Sequence, residues 1–146
     1  MITNILKTIL TDSGCSLVLY DQQQLANLYV DQSNQLDVVG LILQPPDILL
    51  EVRANAIIEH YTPLTVEILK QTRLEDKAEI NEAILDETLL TAKRFITRLI
   101  ASEYFKTILP IRAVRVLEVK YDANVIGWSL PLDLYYLQNR TIDPCL

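Results

Sequence analysis

The chain has 146 residues, half of them hydrophobic, with 13 basic against 19 acidic side chains and a net charge of −6. That length is a single-domain length with enough residues for a real core. The acid balance argues against a protein that gains affinity by releasing phosphate counterions, because the nearest things to a basic cluster are Lys93, Arg94 and Arg98, and then Arg112 and Arg115.

A mean hydropathy of +0.19 is high for a small soluble monomer. The best membrane candidates, Val38–Leu43 and Ala123–Leu132, fall short of the roughly 20 apolar residues a spanning helix needs, and they carry Gly or Pro. No basic segment leads into an apolar run and a cleavage site, so a chain without an export signal is expected. The apolar excess is better assigned to burial between subunits, since obligate interfaces resemble a core cut in half.

Ile2, Ile5, Leu6, Ile9 and Leu10 recur at helical spacing over Ile2–Thr11, and Gly14 is the natural stop. Ser16–Tyr20 reads as a strand, Leu25–Val30 as a second, with polar connections at Asp21–Gln24 and Asp31–Gln35. Val38–Leu43 has the length and β-branched content of a strand buried on both faces, ended by Pro45–Pro46. Ile48–Tyr61 is extended, with Arg53–Ala56 open between a bulge, a bend and a short helical turn. In Leu64–Lys70, Leu64, Val66 and Ile68 face one way and Thr65, Glu67 and Leu69 the other; Pro63 belongs at a bend or an edge.

Thr72–Lys106 is expected to form one long amphipathic helix, on the order of 50 Å at 1.5 Å per residue. Thr72 and Glu75 have capping-box spacing. Ala78, Leu85, Leu89, Ala92, Ile96, Leu99 and Ile100 make the apolar stripe. Acidic residues early and basic residues late complement the helix dipole. Ile80, Leu90 and Phe105 fall among the charges, which makes them candidates for a second contact surface. After Pro110, Ala113–Tyr121 and Val125–Leu134 give the strongest hairpin signal, joined by Asp122-Ala123-Asn124. Pro131 demotes the second strand to an edge at its far end. The expected organisation is a single α+β domain over 1–134 and a tail over 135–146, in which Tyr135 and Tyr136 suit a contact with a neighbour.

Chemistry is sparse. The single histidine, His60, has no sequence partner beyond a Cys15–His60 dyad that nothing favours. Gly14, Gly40 and Gly127 are too scattered for a phosphate loop. Glu79/Glu82 and Asp86/Glu87 read as solvated helix face. Cys15 and Cys145 fit no zinc spacing; a disulfide between them stays open, with reduced structural cysteines the commoner case. No catalytic, metal or cofactor-binding residue is expected.

The order of elements resembles the tail terminator and neck-ring proteins of long-tailed bacteriophages. Met1–Cys15, the His60-Tyr61-x-x-Leu64 passage and the Asp122–Leu134 hairpin carry the resemblance, which spans nearly the whole length but contains no diagnostic motif. It implies a mixed, mostly antiparallel sheet packed on a long and a short N-terminal helix. It implies also a hexameric ring that caps the tail tube, joins it to the head connector, and lets DNA pass without specific binding. Such a protein belongs in the virion, and in the host cytoplasm during assembly. A small cytoplasmic adaptor domain acting as a homodimer fits the same residues, and an enzyme fits them least.

Overall fold

The opening helix shows how local chemistry sets the architecture. In α1 (Ile2–Ser13), Ile2, Leu6, Ile9 and Leu10 are buried along one face. The helix ends in a Schellman pair: Gly14 N–H donates to Thr11 O at 3.2 Å and Cys15 N–H to Leu10 O at 3.1 Å. Gly14 sits at φ 118°, a conformation that a side chain would strain. The computed structural model describes residues 2–20, 38–72, 78–120 and 123–137, and the backbone alone for 78–80, 117–120 and 123–124. The expected strand Leu25–Val30, both polar connections, Glu75 and Cys145 lie outside the described residues.

The remaining elements are β1 (Leu17–Leu19), β2 (Val38–Leu43), β3 (Leu49–Arg53), β4 (Ala56–Thr72), α2 (Ala78–Ala101), β5 (Phe105–Thr107), β6 (Val114–Lys120) and β7 (Ala123–Tyr136). The fold is α+β. Seven strands make one mixed sheet in the order β1-β2-β4-β7-β5, with β3 paired to β4 and β6 to β7. Only β1–β2 is parallel. The expected β6–β7 hairpin is present, with Lys120 opposite Ala123.

Two long strands, β4 and β7, run through the centre from Glu59↔Tyr136 to Thr72↔Asn124. Their outer partners change part-way. Over the body of the sheet, β2 pairs Thr65–Lys70 of β4, and β6 pairs Ala123–Ser129 of β7. Beyond a register shift between Tyr61 and Leu64, β3 pairs Ala56–His60 and β5 pairs Leu134–Tyr136. The second set forms an arm continuous with the body. Pro63 lies in the register shift, and Pro45–Pro46 separates β2 from β3.

Strand β7 is central over most of its length, but at Pro131 it is locally an edge, as expected. Among the described strands, none pairs Leu130–Leu132 of β7 on the outer side, where β6 has ended and β5 has not begun; Asp133 O already accepts from Ile108 N–H at 3.0 Å. The missing N–H therefore costs no ladder bond in this gap.

Both helices pack on one face of the sheet. The main core joins Leu6 and Leu10 of α1, Phe95 and Leu99 of α2, and Ile42, Leu64, Val66, Ile68, Leu130, Leu132 and Leu134 of the sheet. On the other face Val39, Leu41, Leu69, Val116 and Val125 form a smaller cluster. Every apolar residue of Val38–Ile42 is thus buried, as a strand covered on both sides requires.

Helix α2 departs from expectation at both ends and in its stripe. It spans 24 residues and ends at Ala101, followed by Glu103 at φ 61°. A glutamate in the left-handed region carries none of the usual glycine signal for a stop. Thr72 closes β4 and donates its hydroxyl to Asn81 Oδ1 at 3.0 Å. Among residues 81–101 the buried ones are Ile84, Thr88, Thr91, Ala92, Phe95 and Leu99, whereas Ile100 is exposed. Thr88 and Thr91 satisfy their hydroxyls on the helix itself, at Ile84 O (2.7 Å) and Glu87 O (3.2 Å). Two polar residues can therefore face the core, which shifts the true stripe away from the hydrophobicity pattern.

Candidate functional site

The arm carries the densest polar constellation among the described residues. β3 and β4 form a tight hairpin, Arg53 opposite Ala56, with Ala54 at φ 52°. This resolves Arg53–Ala56 as a two-residue turn. Cross-strand register then brings Glu51, His60 and Tyr135 onto one face: His60 pairs with Tyr135, and Glu51 lies opposite Ile58, two residues before His60.

His60 is buried, 8% exposed, and has a carboxylate at each ring nitrogen. Nε2 is hydrogen bonded to Asp133 Oδ1, while Nδ1 lies 3.9 Å from Glu51 Oε1 and makes no hydrogen bond. Tyr135 stacks on the imidazole with ring centroids 4.0 Å apart and planes 8° from parallel. The Tyr135 hydroxyl donates to Glu51 Oε1 at 3.4 Å. Arg53 holds Glu51 Oε2 at 2.6 Å and sits over the Tyr135 ring, 5.4 Å from its centroid. This network ties β3 to β4 and β7 across the arm.

The two carboxylates lie on opposite sides of the ring, so they do not converge on a point where an ion could sit, and among the described residues no cluster of three or more His, Cys, Asp or Glu has ligating geometry. Cys15 does not join His60. It packs against Gly40 and Leu10 on the helix side of the sheet, and burial pushes its thiol up to about 12, away from the nucleophilic thiolate. Cys15 is a free thiol.

On the opposite face of the arm, Tyr61 joins the main core and donates its hydroxyl to Glu59 Oε1 at 3.1 Å. Its phenol is pushed up to about 12, by burial first and by the neighbouring Glu59 charge second. Past Tyr61, the helix-side core reaches Phe105 and Tyr136 on the β5 side but not β3. Leu50, Val52 and Ile57 share this face and are exposed, Val52 at 71% and Leu50 at 62%. Leu49, opposite His60 on the other face, and Ile48 are exposed as well. At the other edge of the sheet Ile108, Leu109 (60%) and Val114 are also exposed. A groove of about 280 Å³ between α1 and Tyr104, lined by Asn4, Ile5, Thr8, Ile9 and Tyr104, is below the usual range for a small-molecule pocket.

The residues singled out by sequence scatter. Leu90 is exposed on α2, as its place among charges implies. Ile80 lies in α2, its side chain outside the described residues. Phe105 is not on the helix at all: it opens β5, is 4% exposed, and packs against Tyr136 at 5.5 Å between ring centroids. Tyr135 and Tyr136 extend β7 into the segment expected to be a tail, and their rings engage His60 and Phe105 within the chain.

Sequence reasoning missed the arm. The one signal for it was Ile48–Arg53, an apolar segment that reads equally well as a core strand. Among the described residues no helix is long and apolar enough to cross a membrane. No protein-family model matches the chain, and no curated protein matches it.

Proposed function

We propose that this chain is a non-catalytic assembly subunit, a tail terminator or neck-ring protein of a long-tailed bacteriophage, working as a closed homo-oligomeric ring between tail tube and head connector. The observation that supports this reading best is the pair of exposed apolar segments at opposite edges of one sheet, Leu49–Val52 and Ile108–Leu109, outside both buried clusters. A head-to-tail ring needs two different surfaces on every copy. The net charge of −6 suits a channel that must release DNA rather than hold it. The resemblance in element order supplies the specific virion role.

Negative-stain electron microscopy of the purified chain, alone and with tail tubes, tests the proposal. Rings that sit on the tube end are expected. A protein that remains a monomer or a two-fold dimer with tubes present would remove the terminator reading and leave the adaptor domain.

A further inference from the structure

The arm has two unpaired edges. At its level the sheet runs β3-β4-β7-β5, and among the described strands β3 pairs only with β4 and β5 only with β7. An exposed edge is a template for another strand, and proteins normally blunt it with unmatched charge or proline. β3 carries Glu51 and Arg53, but these two are already paired at 2.6 Å, while Leu49, Leu50 and Val52 stand open. The edge is long enough to add a strand, and it is apolar.

The two edges also differ in charge. Residues 47–59 contain Asp47, Glu51 and Glu59 against Arg53 alone. Residues 105–116 contain Lys106, Arg112 and Arg115 with no carboxylate. Lys106, Arg112, Arg115 and Asp47 are all exposed. Two β3 edges brought together would oppose like charge, and so would two β5 edges. A β3 edge against a β5 edge joins opposite charges around an apolar centre.

We propose that the β3 edge of one copy pairs with the β5 edge and the Ile108–Leu109 segment of a second copy, extending the sheet from subunit to subunit. Leu50 and Val52 then lie against Ile108 and Leu109, and the acidic hairpin faces Lys106, Arg112 and Arg115. The contact is heterologous, so each copy keeps one edge free for the next until the ring closes. This joint rests on the self-assembly proposed above but not on the identity of the tube or connector.

Two variants test it. Leu50→Asp/Val52→Asp spoils the donor edge, and Ile108→Asp/Leu109→Asp spoils the acceptor edge. All four positions are exposed, so both should keep the wild-type far-ultraviolet circular dichroism and melting temperature. In light scattering coupled to gel filtration, each alone should associate at least about thirty-fold more weakly than wild type, as loss of a central contact does. An equimolar mixture should recover one intact joint and give a 1:1 heterodimer that grows no further. Four outcomes overturn the joint: a mixture that stays monomeric, an acceptor-edge variant that still dimerises, variants that both assemble like wild type, or wild-type protein monomeric up to about 1 mM, the weak limit of specific association. Rescue in the mixture with no binding to tail tubes would uphold the joint while removing the phage role.

Discussion

The body and the arm are built from the same two strands, yet they are stabilised differently. In the body, β4 and β7 are covered by helices on one face and by a second apolar cluster on the other. Leu64, Ile68, Leu69, Leu130 and Leu132 are among the most deeply buried side chains there. In the arm, the continuation of these strands is held by a histidine between two carboxylates, a stacked tyrosine and an arginine. On its β3 side Leu49, Leu50, Val52 and Ile57 face outward instead. The body's stability comes from non-directional burial, worth about 1.5–3 kcal/mol for each large side chain. The arm depends on directional contacts that hold a shape, and the apolar surface left over is available to a neighbour.

The largest expected effect falls on the body. Gly127 lies opposite Leu69, and a Cβ there would come within 1.9 Å of Ile68 O. Gly127→Ala must push β7 off β4 and should destabilise by more than about 4 kcal/mol, the exceptional end of the mutational range. Urea denaturation checks this. A stable Gly127→Ala protein would mean that the two central strands are not locked together.

Alkaline titration separates buried groups of body and arm. Cys15 and Tyr61 both have raised values in the folded chain, so each favours folding most while its unfolded counterpart is also protonated. Their contribution is complete below about pH 9 and declines as pH rises towards about 12. The slope contributed between pH 9 and 10 belongs to Cys15, whose ordinary value is 9.0, and Tyr61 joins above 10. Cys15→Ala should flatten the lower part of the curve and Tyr61→Phe the upper part, in denaturation midpoints measured across the range. Unchanged slopes would mean that these groups are open to solvent.

His60→Ala acts on the arm alone. It leaves Asp133 and Glu51 without the imidazole between them, and should cost about 1–3 kcal/mol. Hydrogen exchange should show the loss concentrated in β3 and the start of β4, with body amides unaffected. Equal loss of protection everywhere would erase the distinction between the two regions.

Leu90→Asp should have the smallest effect on folding, within about 0.5 kcal/mol, because Leu90 is half exposed at 49%. Its influence on oligomerisation, read by light scattering, should exceed its influence on melting. A substitution that unfolds the monomer would place Leu90 in a core that the described contacts lack.

Much of the body was legible because its signals are local. The bounds of Val38–Leu43 follow from composition and the diproline, Gly14 marks the end of α1, and the β6–β7 hairpin follows from alternation. The α2 stripe was harder to see because Thr88 and Thr91 hide in the core by bonding their own helix. The arm was illegible for a different reason. Glu51, His60, Asp133 and Tyr135 are distant in sequence and meet only through the register of three strands. Nothing in Ile48-Leu49-Leu50 tells a strand on an edge from one in a core, since that depends on where the helices stop.

One contact in the body has a practical use. Trp128, the chain's single tryptophan, donates its indole N–H to Leu85 O at 3.0 Å, from the middle of β7 to the middle of α2. Nearby, Lys70 and Glu87 link β4 to the same helix at 2.8 Å. Undocking of α2 would release the indole to water and shift its emission to longer wavelength. The arm has tyrosines but no indole, so its movements leave that emission almost silent. Intrinsic fluorescence is therefore a selective gauge of helix-on-sheet contact, able to follow the body while the arm engages a neighbour.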